Sequence, residues 1–365
     1  MRILILVQKF DPNDSILGFL YTWFVKIARQ IDELYIVTFE QRYTAFPKNT
    51  QVYSFGRELG YHKIRQLYNF NKTISEILLK RKVDLAFVLM CPEYVFLIAP
   101  YAKIARIPIV MWYTHGNTDM KLKIAHLLVN KVVTASKESF RIKSNKVIIT
   151  GHGIDVDKFK NQNPKSKNEN NEKKIILSVG RISPIKNYET LIRAADILIN
   201  QNNFMDLKFQ IVGGVPVKSQ DRYLYLLKNI VRKYKLKDYV QFVGPIPYTQ
   251  IQDYYENCDL FVSTSNTGSL DKAVLEAMAC GKVILTCNEA FNVLLKNYSN
   301  ILLFDKNNPN SLVEKIVHAL DMDVKDRHNL ACDLRETAVR NHSLNRFLDN
   351  IFAVFNDAIN YKIIR

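Results

Sequence analysis

No run of apolar residues in this 365-residue sequence reaches the length of a membrane-spanning helix, so a fold built on such helices is excluded. The first residues, Met1 to Val7, hold one charge and a short apolar run that soon meets Lys9, Asp11 and Pro12. That is too short for a signal peptide and fits a buried first strand. Cysteine is scarce: Cys91, Cys258, Cys280, Cys287 and Cys332 make an odd set with no CxxC pair and no metal-ligand spacing. A disulfide framework is therefore excluded, and free thiols in a reducing, cytoplasmic setting are expected. Acidic residues are in deficit, with 35 Asp and Glu against 51 Lys and Arg, for a formal charge of +16. The deficit is concentrated early, where residues 1–150 hold 22 basic against 11 acidic side chains. Such a field favours anionic partners such as membrane headgroups. Nucleic acid is not expected, because the aromatic and basic motifs of RNA-binding modules are missing.

What the chain does contain is material for two hydrophobic cores. It is 48% hydrophobic and 24% charged, and longer than one ordinary core supports. Short apolar runs alternate with amphipathic stretches, the pattern of βα units. Strands are predicted at 3–7, 34–38, 85–90, 108–113, 131–135 and 147–150, then at 174–179, 207–212, 239–243, 259–264, 282–286 and 301–304. The fold class is therefore α/β, with two Rossmann-like, doubly wound domains. Lys160 to Glu172 contains no apolar residue, so the domains are expected to span 1–159 and 174–342, with a polar linker at 160–173. A helix over 343–365, with Leu344, Leu348, Ile351, Phe352, Phe355 and Ile359 on one face, is expected to cross back to the first domain.

Two segments carry chemistry. The first, Gly180-Arg181 followed by Lys186-Asn187, stands between a strand and a helix, where ligands of open α/β sheets bind. A planar guanidinium and a point-charge ammonium five positions apart suit a diphosphate. In the second, the small polar residues Thr264 to Ser269 lead through Leu270 and Asp271 into a helix that contains Glu276. The helix start offers amides and a positive dipole end to an anion, and Glu276 offers acceptors to a ribose diol. A surface loop with ordinary cations and a solvated helix carboxylate are the plainer readings of each segment taken alone.

Taken together, Gly180-Arg181-x4-Lys186-Asn187, the run Glu276-Ala277-Met278-Ala279-x-Gly281 and the hinge-like Gly151-His152-Gly153-Ile154-Asp155-x3-Phe159 resemble, in order and spacing, the retaining glycosyltransferases of family four, which have the GT-B fold. The resemblance implies two domains facing each other across a cleft, the first binding an acceptor and the second a nucleotide-diphosphate sugar. It implies that Arg181 and Lys186 bind the diphosphate, with Gly180, Ser269, Leu270 and Asp271 around it, and that Glu276 holds the ribose. It also implies that His115, in Met111-Trp112-Tyr113-Thr114-His115-Gly116, contacts the donor sugar and that Gly18 approaches its phosphates. The family's usual first carboxylate falls at position 268, and this chain has Gly268 there. Gly268-Ser269-Leu270-Asp271-Lys272 looks like a variant of the motif, in which backbone amides near Leu270 and Asp271, or the Asp271 side chain, supply the missing contact. Glu93, which also follows a strand, is a candidate for the acceptor or a plain helix-start carboxylate.

The function implied is transfer of a hexosyl group, with retention, to an acceptor hydroxyl in cell-surface glycan, polysaccharide or glycolipid synthesis. No cofactor and no metal are expected, since no Asp-x-Asp pair directly follows a predicted strand. The basic first domain, with Arg57-x5-Lys63-x-Arg65 and Lys121-x-Lys123 near apolar residues, suggests peripheral contact with the inner face of a membrane. A GT-B nucleotide-sugar epimerase and a non-catalytic sugar-nucleotide binder remain open alternatives.

Overall fold

A computed structural model describes residues 1–42, 45–160, 173–215 and 221–363. The chain divides into two compact units, Met1–Gly153 with Leu344–Arg365, and Ile154–Ser343.

In the first unit the elements run β1 (Arg2–Phe10), α1 (Phe19–Ala28), β2 (Glu33–Gln41), β3 (Thr50–Ser54), α2 (Lys63–Ser75), β4 (Leu85–Leu89), α3 (Pro92–Ile104), β5 (Ile109–Trp112), α4 (Met120–Leu128), β6 (Lys131–Thr134) and β7 (Val147–Ile149). All pair in parallel in the order β3-β2-β1-β4-β5-β6-β7. Both faces of the central strands are covered, so they read as unbroken apolar runs: Ile3, Leu4, Ile5, Leu6 and Val7 are all buried. Alternation then decides which helix each side chain meets. Ala86, Val88, Ile109 and Met111 join one cluster with α2, α3 and α4. Phe87 and Trp112 turn the other way, onto Phe355 and Trp23.

The second unit contains β8 (Lys174–Val179), α5 (Tyr188–Asp196), β9 (Leu207–Val212), α6 (Asp221–Lys233), β10 (Val240–Gly244), α7 (Ile251–Asn257), β11 (Leu260–Ser263), α8 (Lys272–Ala279), β12 (Ile284–Thr286), α9 (Ser299–Leu302), α10 (Pro309–Asp321) and α11 (Val324–His342). Its parallel sheet has the order β10-β9-β8-β11-β12. The last helix, α12 (Leu344–Ile363), belongs to the first unit, where Phe347 packs on Trp23 and the Trp23 indole N–H donates to the Gly153 carbonyl at 2.8 Å.

Two strand assignments differ from the sequence reading, giving sheets of seven and five strands instead of six and six. Thr50–Ser54 forms edge strand β3 with little apolar content, none of it fully buried, so its composition carries no strand signal. Conversely, 301–304 closes a short helix and makes one bridge, Thr286 to Leu303; the burial of Leu302 and Phe304 produces an apolar run without a ladder.

The division also falls earlier than the polar stretch. Ile154 and Phe159 are fully buried, the Ile154 amide donates to the His342 carbonyl at 2.8 Å, and Phe159 packs edge-on against Tyr255. Residues 154–159 are thus already part of the second unit, because apolar burial rather than local polarity sets the boundary. Most of the linker predicted over 160–173 lies outside the described residues.

Candidate functional site in the second unit

In an open parallel sheet, ligands bind beyond the carboxyl ends of the strands where the strand order reverses. In the second unit that point lies between β8 and β11, which pair with each other although the chain between them builds β9 and β10. The two chemistry-bearing segments are the loops that leave these strands. They are joined directly: the Thr264 hydroxyl donates to the Lys186 carbonyl at 2.7 Å and the Asn266 amide to the Ile185 carbonyl at 2.9 Å.

The first loop turns tightly at Gly180, whose carbonyl accepts from the Tyr188 hydroxyl at 2.9 Å. A side chain at 180 would meet the Lys186 Cε at 2.9 Å, so the absence of a Cβ lets Lys186 fold back across the loop. There the Lys186 ammonium pairs with Asp271 at 2.7 Å, both side chains nearly buried. An ammonium has three donors, and this contact engages one of them. Arg181, half-buried beside Gly180, forms no hydrogen bond or ion pair among the described residues. The hydroxyls of Ser183 and Ser265, one in each loop, are buried without a hydrogen-bond partner among the described residues. Buried polar groups are normally satisfied, so a cation and two hydroxyls in this condition mark a place for a polar ligand.

Asp271 caps α8, accepting from the Ala273 amide, and also accepts from the Ser263 hydroxyl at 3.1 Å. Burial works to raise its pKa, but the Lys186 charge and these hydrogen bonds outweigh it and leave the carboxyl below its ordinary value. Asp271 is thus held by Lys186, Ser263 and the start of its own helix. Ser269 and Leu270 are nearly buried, and the Ser269 carbonyl accepts from Asn288 at 2.6 Å. Gly268 has φ of +63°, a left-handed conformation that disfavours any side chain.

Glu276 lies one turn further into α8 and is only 4% exposed. Its Oε1 accepts from the Tyr248 hydroxyl at 2.9 Å and pairs with Lys272, and its Oε2 accepts from the Tyr255 hydroxyl at 2.9 Å. In this structure the carboxylate's contacts are with the protein, tying α7 and the turn at Tyr248 to α8. Lys158 joins this cluster, donating to the Tyr248 carbonyl at 2.6 Å with its ammonium 3.8 Å from the ring centre. Burial pushes its pKa down to about 8, against the pull of Glu276. The sequence reading missed Lys158, Tyr248 and Tyr255; the one signal for the two tyrosines was the aromatic content of the segment before β11.

The remaining predicted residues belong to the first unit. Gly18 is the N-cap of α1 in the loop after β1, and its amide donates to the Asp14 carbonyl. His115 follows β5, half-buried, its ring 6.3 Å from that of Tyr113. Glu93, near the start of α3, is ion-paired to Lys121 at 2.7 Å.

Two parallel, doubly wound units with a polar and cationic switch point in the second define an α/β protein of GT-B type. The whole fold is similar to that of Anabaena Alr3699/HepE in complex with UDP and glucose, with a TM-score of 0.76 at 17% identity over 98% of this chain and 99% of that one. Residues 159–336 match the family described as glycosyl transferases group 1. Among curated relatives, a human GDP-Man:Man(3)GlcNAc(2)-PP-Dol alpha-1,2-mannosyltransferase is 26% identical over 49% of this chain, and a D-inositol 3-phosphate glycosyltransferase 2 of Catenulispora acidiphila is 31% identical over 36%. The matches span 37% and 32% of those two proteins.

Proposed function

We propose that the protein is a glycosyltransferase that moves a sugar from a nucleotide-diphosphate sugar to an acceptor hydroxyl with retention, without a metal. The observation that carries this reading is Arg181, a half-buried cation with no anionic partner among the described residues, at the switch point of the unit that matches the group 1 glycosyltransferases. Breaking the bond between the anomeric carbon and the diphosphate leaves negative charge on the departing nucleotide. Arg181 and the first-turn amides of α8 supply fixed positive potential for it, and Lys186, its charge balanced by Asp271, adds hydrogen-bond donors. The backbone near Leu270 and Asp271 takes the sugar end, in place of the carboxylate absent at Gly268. Glu276 takes the ribose once a ribose hydroxyl replaces one of its tyrosine or lysine donors. His115 is assigned to the donor sugar, Gly18 to its phosphates and the first unit to the acceptor. The acceptor is a glycan or lipid-linked precursor at an anionic membrane, a reading supported by the basic excess of residues 1–150.

The test is thermal stabilisation by UDP-, GDP- and ADP-sugars, followed by turnover with an acceptor panel and product NMR. One donor is expected to stabilise the wild type, and Arg181→Ala to weaken that binding by about tenfold or more, as for loss of a charge-assisted contact. Turnover is expected to survive EDTA and to retain configuration. Equal stabilisation of wild type and Arg181→Ala would refute the site. Turnover without acceptor would instead identify an epimerase.

A further inference from the structure

The first unit contains a cavity of about 580 Å³ whose lining includes none of the residues assigned to the donor. Its apolar walls are Phe39 from β2, Leu67 and Phe70 from α2 and Leu97 from α3, and Arg57, Lys63 and Gln66 stand among them. Both cations are exposed, and neither forms an ion pair among the described residues. The apolar lining continues outward: Ile64 is 83% exposed, Tyr68 65% and Leu59 65%, beside Arg65, which stacks on Tyr61. An apolar ridge of this kind, flanked by unpaired cations, is unusual on a water-facing helix.

We propose that this cavity binds a phosphate-bearing membrane lipid, with the headgroup phosphate between Arg57 and Lys63 and the upper part of an acyl chain against Leu67, Phe70, Phe39 and Leu97. The exposed residues of α2 then enter the interface beside it. This deepens the membrane-surface part of the reading above and is independent of the donor site.

Charge and polarity select this occupant. A fully polar ligand would leave four apolar walls uncovered. A second copy packed symmetrically on this face would bring Arg57, Lys63 and Arg65 against their own counterparts. An anionic lipid satisfies both halves at once, since its phosphate meets the cations and its chain covers the apolar walls. The Tyr94 phenol, buried under Phe39 and within electrostatic reach of Arg57, has no hydrogen-bond partner among the described residues and adds a polar group close to the cationic end.

Two measurements test it on the full chain. In the first, binding to phosphatidylcholine vesicles is compared with binding to vesicles that also contain phosphatidylglycerol. The wild type is expected to prefer the anionic vesicles, and Arg57→Glu with Lys63→Glu to weaken that binding by about tenfold or more. In the second, dihexanoyl-phosphatidylglycerol, dissolved as a monomer, is titrated in thermal melts. It is expected to stabilise the wild type saturably but not Leu97→Trp, which fills the cavity, nor Leu67→Trp, whose larger ring closes the rim should the first variant fold poorly. Equal binding to both kinds of vesicle overturns the proposal and the membrane reading together. A preference for anionic vesicles with no response to the short-chain lipid overturns the pocket alone. Equal stabilisation by dihexanoyl-phosphatidylcholine removes the role of the cations. A concentration-dependent dimer that Ile64→Ser with Tyr68→Ser abolishes, without vesicle binding, assigns the face to a second copy.

Discussion

Arg181 and Lys186 are five positions apart in the sequence, yet the fold gives them different electrical circumstances. Lys186 is held by Asp271, eighty-five positions away, while Arg181 meets no anion among the described residues. The residue types and their spacing were legible, because a diphosphate requires cations beside a strand end. Their partners were not, because pairing depends on which loops the sheet order places side by side. Lys158 makes the same point and yields a measurable consequence. Its amine has a pKa of about 8 in the folded protein against 10.5 for the free side chain. Between those values the unfolded chain holds a proton that the folded chain has released, so stability rises with pH across the window. In melts from pH 7.5 to pH 10.5 (~3 units, chosen to bracket the shift), the midpoint of the wild type is therefore expected to climb relative to that of Lys158→Met. Parallel curves would show that the amine is not buried as described.

At the scale of an element, the loop from β11 to α8 shows why the missing carboxylate belongs to its conformation. With φ of +63° at Gly268, a side chain there incurs the left-handed penalty of about 1–2 kcal/mol. Gly268→Glu is accordingly expected to lower unfolding stability by about that amount in urea titrations without raising turnover. A variant of wild-type stability and higher activity would mean that the loop accepts a carboxylate. The start of α8 was readable from the sequence, since Asp271 is a typical N-cap, and the structure places the helix at Lys272. Edge strand β3 was not readable: partly exposed, it has no apolar alternation to betray it. The run 301–304 misled for the opposite reason, as buried apolar residues look alike in a short helix and a short strand.

Over the whole molecule, the last helix matters most to the unit formed by the beginning of the chain. Phe347, Leu348, Ile351, Val354, Phe355 and Ala358 are all buried on α12, which covers a face of the first unit's sheet. At roughly 1.5–3 kcal/mol for each large apolar side chain, their loss is comparable to the stability of an entire domain. Removing residues 344–365 is expected to abolish slow hydrogen exchange in β1, β4 and β5 while β8, β9 and β11 remain protected. Equal loss in both sheets would show that the two units unfold as one.

The sequence by itself determined the α/β class, the two sets of parallel strands, the basic excess of the first half and the cations and capping carboxylate of the donor loops. Each is set by local periodicity, composition or residue chemistry. Only the tertiary structure decided that Asp271 neutralises Lys186, that Glu276 is enclosed by Tyr248, Tyr255 and Lys272, and that the second unit begins at Ile154. It also decided that Arg57 and Lys63 stand at an apolar cavity. These features depend on which strands become neighbours and which side chains are removed from water, and the energies that fix them arise from contacts between residues distant in sequence.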